Sequence, residues 1–237
     1  MSVPSSAVSR DLRFGPLPES AARPLFLINA LVPTIGIGLS LILTIFDVYP
    51  SDNTDKTLLG YAGQGLIGRL LDFATYFTNW SSILVLIVMW LLFANPRRDG
   101  AVFRVLRLDS LLMIAVTGII YQYLLAASAH LQGWEYVTNM CQHILTPIIT
   151  IVVWLLVGPR RQIGWVAIPL ALILPIGWAV YALLRGAVIG AYPYGFLNVT
   201  VHGLGGVIIT VIEIAIFGVI LSAILLGLDR LLSLKRK

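Results

Sequence analysis

Six stretches of this chain run for about twenty residues each with almost no charge: 24–46, 73–94, 109–129, 137–157, 163–184 and 203–226. About 20 helical residues cross a bilayer's hydrocarbon core. Inside it the backbone must satisfy its own hydrogen bonds, which leaves helices and closed barrels. The expected fold is therefore all-α, a polytopic membrane protein built as a six-transmembrane-helix bundle over residues 24–230. Residues 1–23 form a lead and 231–237 a basic tail. The first stretch is too long, and too weakly followed by a cleavage pattern, for a removed signal peptide. Only 11% of the 237 residues are charged, against about 25% in a soluble domain, so no separate soluble domain is expected.

The charge is arranged by loop. Arg10, Arg13 and Arg23 precede the first stretch; Arg97, Arg98, Arg104 and Arg107 lie between the second and third. Arg160 and Arg161 lie between the fourth and fifth, and Arg230, Lys235, Arg236 and Lys237 close the chain. The alternate connections hold only Lys56, Arg69 and Arg185. By the positive-inside rule both termini are expected in the cytoplasm. A net charge of +5 distributed this way serves topology, and nucleic acid is not an expected partner. Arg greatly outnumbers Lys, a bias that suits a GC-rich bacterial source and hence a bacterial inner membrane. Cys141 is the only cysteine, so no intrachain disulfide forms. Asn198-Val199-Thr200 is a glycosylation sequon, with meaning only in a eukaryote.

Polarity inside the spans is concentrated. In TYFTNWSS, residues 75–82, six of eight side chains carry a hydroxyl or an amide. In this topology the second and fourth helices both enter from the outer side. Thr78 then lies about 7–8 Å deep and His143 about 9 Å deep, at 1.5 Å per residue. Thr75, Thr78, Asn79 and Ser82 share one helical face, as do Asn139, Gln142, His143, Thr146 and Thr150. Both stripes are expected to turn from lipid toward one internal space. Cys141 points about 200° around the helix from His143, which argues against a Cys–His dyad. Pro147 leaves the His143 carbonyl without its helical donor, opening the helix at that point.

An intramembrane histidine beside a threonine has a chemistry. Imidazole, with a pKa near neutrality, suits removal of the hydroxyl proton, making threonine a nucleophile. Asn79, Asn139 and Gln142 offer amide donors for an oxyanion. Ester cleavage through an acyl-threonine would fit, with a lipid or fatty-acyl ester entering sideways from the outer leaflet. The same residues also suit plain interhelical hydrogen bonding, worth about 0.6 kcal/mol each.

Three motifs, YFTNWSSILV on the second helix, QHILTPIIT on the fourth and AYPYGFLNV after the fifth, resemble the androgen-induced-gene membrane family, its bacterial six-span branch most of all. The resemblance covers residues 70–202. It implies an intramembrane threonine hydrolase of fatty-acid esters of hydroxy fatty acids, with Thr78 as nucleophile and His143 as the essential histidine. Ser81 and Ser82 stand where animal members carry an acidic residue. Asn139 or Met140 replaces their second histidine.

Other residues carry alternatives. Glu213 lies mid-membrane, where charge is costly; it either hydrogen-bonds a helix, for instance through Gln122, or serves a function. His202 would pair with His143 as a metal ligand only with a third ligand, and none is suitably spaced. Arg185 either holds a substrate carboxylate or snorkels to lipid phosphate. Tyr192 and Tyr194, in YPYGF, form either an aromatic belt or a lid over the Thr78–His143 cavity. GLGG, residues 203–206, has no phosphate-loop context and suits close packing. No metal or organic cofactor is implied. Two rival functions remain: a small-molecule or proton transporter using His143, Glu213 and Asp109, with breaks at Pro33, Pro147, Pro169 or Pro175, and a non-catalytic lipid- or pigment-binding bundle. A retinal Schiff base is excluded within the spans, because the only lysines are Lys56, Lys235 and Lys237.

Overall fold

The computed structural model describes residues 14–48, 65–129 and 131–234. Arg10, Arg13, Lys56 and the last three residues of the basic tail lie outside the described residues. The chain is helical in α1 (Ala22–Phe46), α2 (Gly65–Thr75), α3 (Phe77–Ala94), α4 (Ala101–Ile120), α5 (Glu135–Asn139), α6 (Thr146–Val157), α7 (Ala167–Ala171), α8 (Ile173–Ile189) and α9 (Val199–Leu234). Two π-helical turns, Tyr121–Leu125 and Met140–Leu145, extend α4 and join α5 to α6. Among the described residues five helical segments are long and apolar enough to cross a membrane: Glu19–Phe46, Phe77–Ala94, Glu135–Val157, Ala167–Ile189 and Val199–Ser233. This is an all-helical protein of membrane type.

The expected boundaries shift where polar chemistry intervenes. The stretch 73–94 is divided, because Tyr76 is extended (φ −75°, ψ 126°) and separates α2 from α3. The stretch 109–129 begins earlier, at Ala101, with its charges inside the helix. Arg104 is held there by a two-pronged pair with Asp99 (2.6 and 2.5 Å), and buried Arg107 donates to the Gly158 carbonyl at 3.1 Å. The stretch 163–184 starts late: Ile163 precedes the helix in irregular backbone, its N–H reaching Asp229 Oδ2, and the helical run breaks at Leu172. Pro175 then falls in the first turn of α8, where no intrahelical N–H is needed. The last stretch grows to 36 residues, kinked at Gly203. Pro33 lies within an unbroken α1.

The helices run up and down. One end carries Arg107, Arg160, Asp229 and the residues leading into α1, with Gly15 and Leu17 donating to the Val157 and Leu156 carbonyls. The buried Arg160 guanidinium stacks on Trp154 at 5.0 Å. Burial pulls its pKa down and Asp229 opposes that. The other end carries Thr78, Arg185 and the α8–α9 connection. Three apolar clusters fill the space between, one among α1, α3, α4 and α6, one among α4, α7 and α9, and one around Trp178, Leu197 and Val207. Apolar burial gives no driving force between helices in lipid, so close packing and interhelical bonds matter. Thr150 donates to Asn29 Oδ1 (2.9 Å), Gln142 to the Gly36 carbonyl (3.0 Å) and Trp90 to Thr34 Oγ1 (3.1 Å). Asn198, the sequon residue, is buried and caps α9 by accepting from Thr200 N and Oγ1.

Candidate active site

The site begins with the break at Tyr76. The last carbonyls of α2 have no helical donors, and three side chains supply them. Asn79 Nδ2 donates to Phe73 (2.7 Å), Trp80 Nε1 to Ala74 (2.7 Å) and Trp178 Nε1 to Thr75 (2.8 Å). Beside them Arg185 bridges Asp72 (2.5 Å) and Thr75 Oγ1 (3.2 Å), and Thr75 also meets Tyr181 OH. Burial raises the pKa of Asp72, with Arg185 opposing. Because the helix restarts at Phe77, Thr78 sits in its first turn, with its N–H free of the helical ladder.

That N–H donates to Tyr194 OH at 3.3 Å. Thr78 Oγ1 lies 3.1 Å from His143 Nε2 and 3.4 Å from Tyr194 OH. When the Thr78 hydroxyl donates to His143, its own oxygen accepts from Tyr194. Ser81, one turn on, donates to the Thr78 carbonyl (2.9 Å) and bonds Thr117 of α4 (2.8 Å). With a single hydrogen, Ser81 accepts from Thr117. Burial of the Tyr194 hydroxyl raises its pKa above the ordinary 10.0, and its bonds to Thr78 and Phe77 oppose the rise.

His143 stands in the π turn Met140–Leu145. π-bulges are rare and recur at functional sites. Its ring stacks on Tyr121 at 4.1 Å, at the start of the facing π turn. Nδ1 has no partner in hydrogen-bond geometry among the described residues. The group that bears on the ring is the Asn139 backbone carbonyl, one turn back. For the Thr78 hydroxyl to donate to it, Nε2 must carry its lone pair toward Thr78. α4 approaches this turn closely at Gly118, where a Cβ would stand 2.9 Å from Pro147.

The two polar stripes do not share one space, contrary to the simple helical reading. The extra residue per turn in the π segment rotates His143 away from its neighbours. Gln142 and Thr150 bond α1 instead. The Asn79 amide is committed to α2, Ser82 is buried in the helix packing, and Asn139 is half-buried and meets His143 through its carbonyl. Arg185 is neither free for a carboxylate nor turned to lipid; it is paired with Asp72. Tyr192 packs on α8 at Gly186, away from Thr78, whereas Tyr194 reaches it. Glu213, Gln122 and His202 are exposed on the bundle's outer surface, and Asp109 is buried elsewhere. None of these four lines the cavity at Thr78. Among the described residues no three His, Cys, Asp or Glu side chains group as metal ligands.

That cavity spans about 870 Å³ of empty space, its open side included. Thr78, Thr117, Tyr121, His143, Trp178 and Tyr194 are its polar-bearing residues, and the remaining lining is apolar. Sequence reasoning did not identify Tyr121 or the α2–α3 break; Tyr76-Phe77, two aromatic residues ahead of a hydroxyl cluster, gave no recognised cap signal. Comparison with family models, curated proteins and solved structures found no match.

Proposed function

We propose that this chain is an intramembrane hydrolase of lipid esters, fatty-acid esters of hydroxy fatty acids or similar, with Thr78 as nucleophile and His143 as general base. One observation carries the reading: Thr78 Oγ1 and His143 Nε2 stand 3.1 Å apart at the polar end of an otherwise apolar cavity. This is the spacing at which a base activates a hydroxyl. The resemblance of YFTNWSS, HILTP and YPYGFL to the androgen-induced-gene family supports the same pair.

Thr78 Oγ attacks the ester carbonyl carbon as its proton passes to His143 Nε2. The Thr78 N–H and the Tyr194 O–H face the oxygen where negative charge develops. His143 then returns the proton to the departing alkoxide oxygen as the C–O bond breaks, leaving acyl-threonine and an alcohol. Water, deprotonated by His143, attacks the acyl carbon; the acid leaves and Thr78 regains its proton. In this proposal all six segments cross a bacterial inner membrane, both termini are cytoplasmic and the pair faces the outer leaflet. The partners are lipid substrate and membrane lipids.

The test is hydrolysis of a long-chain fluorogenic ester and a hydroxy-fatty-acid ester by purified wild type, Thr78→Ala and His143→Ala, with fluorophosphonate labelling. Turnover and labelling in wild type, lost at least a hundredfold in both folded variants, is the expected result. Turnover indifferent to Thr78→Ala overturns the threonine mechanism. A wild type inert on both esters turns the cavity toward simple lipid binding.

A further inference from the structure

The cavity has a shape as well as a polarity. From the catalytic pair it runs between α4 and α9, past Met113, Val116, Val211 and Ile214, to Leu112, Leu172 and Gly218. Beyond those three lies the packed cluster of Leu108, Leu111, Ala171, Leu225 and Leu226, so the far end is blind. A Cβ at Gly218 would stand 3.7 Å from Leu172 Cδ2 and 4.0 Å from Leu112 Cδ1. The absent side chain therefore leaves open the space that the two leucines border. From Tyr121 to Leu112 the wall is nine residues of helix, about 13 Å at 1.5 Å per residue.

We infer that this blind cavity holds the acyl tail of the substrate as one straight chain, and that Leu112, Leu172 and Gly218 set the tail length. The inference rests on the hydrolase reading and names its substrate side. In a two-step ester cleavage the acyl group stays tethered to Thr78 while the alcohol departs and water enters. A closed end suits the part that stays, and the open side suits the part that leaves. An extended chain advances about 1.2 Å per bond, as the three backbone bonds of an extended residue do. The floor then admits about ten to twelve carbons beyond Thr78.

The experiment uses purified protein in lipid nanodiscs and a series of p-nitrophenyl esters from four to eighteen acyl carbons. Displacement of a fluorescent fatty acid by saturated acids of the same lengths runs in parallel, in wild type and in Thr78→Ala. Both profiles of wild type peak near twelve carbons. Gly218→Leu lowers the ratio of twelve-carbon to six-carbon turnover at least tenfold, and Leu112→Ala or Leu172→Ala moves the optimum two or more carbons longer. Misfolding cannot produce that lengthening. Length profiles of turnover unmoved by any of these variants overturn the tail-length assignment while the hydrolase stands. No turnover, with acid binding that obeys the same floor in Thr78→Ala, keeps the tail site and removes the hydrolase.

Discussion

Tyr194 is the residue whose role depends most on a few tenths of an ångström. Its hydroxyl accepts from Thr78 N–H and lies 3.4 Å from Thr78 Oγ1, so in the proposed reaction the same O–H that bonds Thr78 at rest would turn to the oxyanion. Loss of one such donor costs about 10²–10³ in kcat in well-studied sites. Tyr194→Phe is expected to lower kcat on a long-chain ester by about that factor with a smaller change in KM. Its pKa lies above 10.0, so the phenol remains a donor throughout the neutral and mildly alkaline range. The pH–rate profile should therefore show no fall below pH 9 that disappears in Tyr194→Phe; finding one would assign Tyr194 a different protonation role. His143, for its part, has Tyr121 stacked on its ring and no carboxylate bonded to Nδ1 among the described residues. Its orientation comes from packing. Ser81 ties Thr78 to Thr117.

The break between α2 and α3 determines where Thr78 points. An unbroken helix would give the Thr78 N–H to a carbonyl four residues back and deny it to Tyr194. Three carbonyls of α2 are capped by Asn79, Trp80 and Trp178, and the Asp72–Arg185 pair, with side chains only 12% and 11% exposed, closes the corner. Removing one member of such a pair costs about 3–5 kcal/mol, while replacing both with apolar residues is close to neutral. Asp72→Ala is thus expected to lower thermal stability in detergent well beyond the double variant Asp72→Leu with Arg185→Met. Additive losses across that cycle would show that the pair does not act as a unit. Part of this element was visible in the sequence. The hydroxyl cluster and its depth relative to His143 follow from helical rise and phase. The π turn that separates His143 from Gln142 was not visible, because a register change of one residue leaves composition and hydropathy the same.

For the whole molecule, charge arrangement argues an orientation that the fold alone leaves open. Arg98, Arg161 and Gln132 are exposed in three connections. In a Cys141→Ser background, cysteines at 98 and 161 are expected to react with a membrane-impermeant maleimide only from the cytoplasmic side, and one at 132 only from outside. Labelling of 132 and 161 from the same side would reject the proposed topology. The bundle also divides its polar groups by end: Arg107, Arg160 and Asp229 at one, the Thr78 site at the other.

Periodicity, length and charge by themselves determined that this chain is an all-helical membrane protein and roughly where its long helices lie, because a bilayer penalises every unpaired polar group and every charge in a way that can be read along one dimension. They also singled out Thr78 and His143, since polarity inside an apolar run needs a partner. Only the tertiary structure decided that the two meet at 3.1 Å, that Arg185 belongs to Asp72, that Glu213 faces outward and that Tyr194 rather than Asn79 reaches Thr78. Those outcomes depend on helix breaks, π turns and the rotation of one helix against another. Such rotations are chosen by side-chain packing between segments distant in the chain, which no local pattern records.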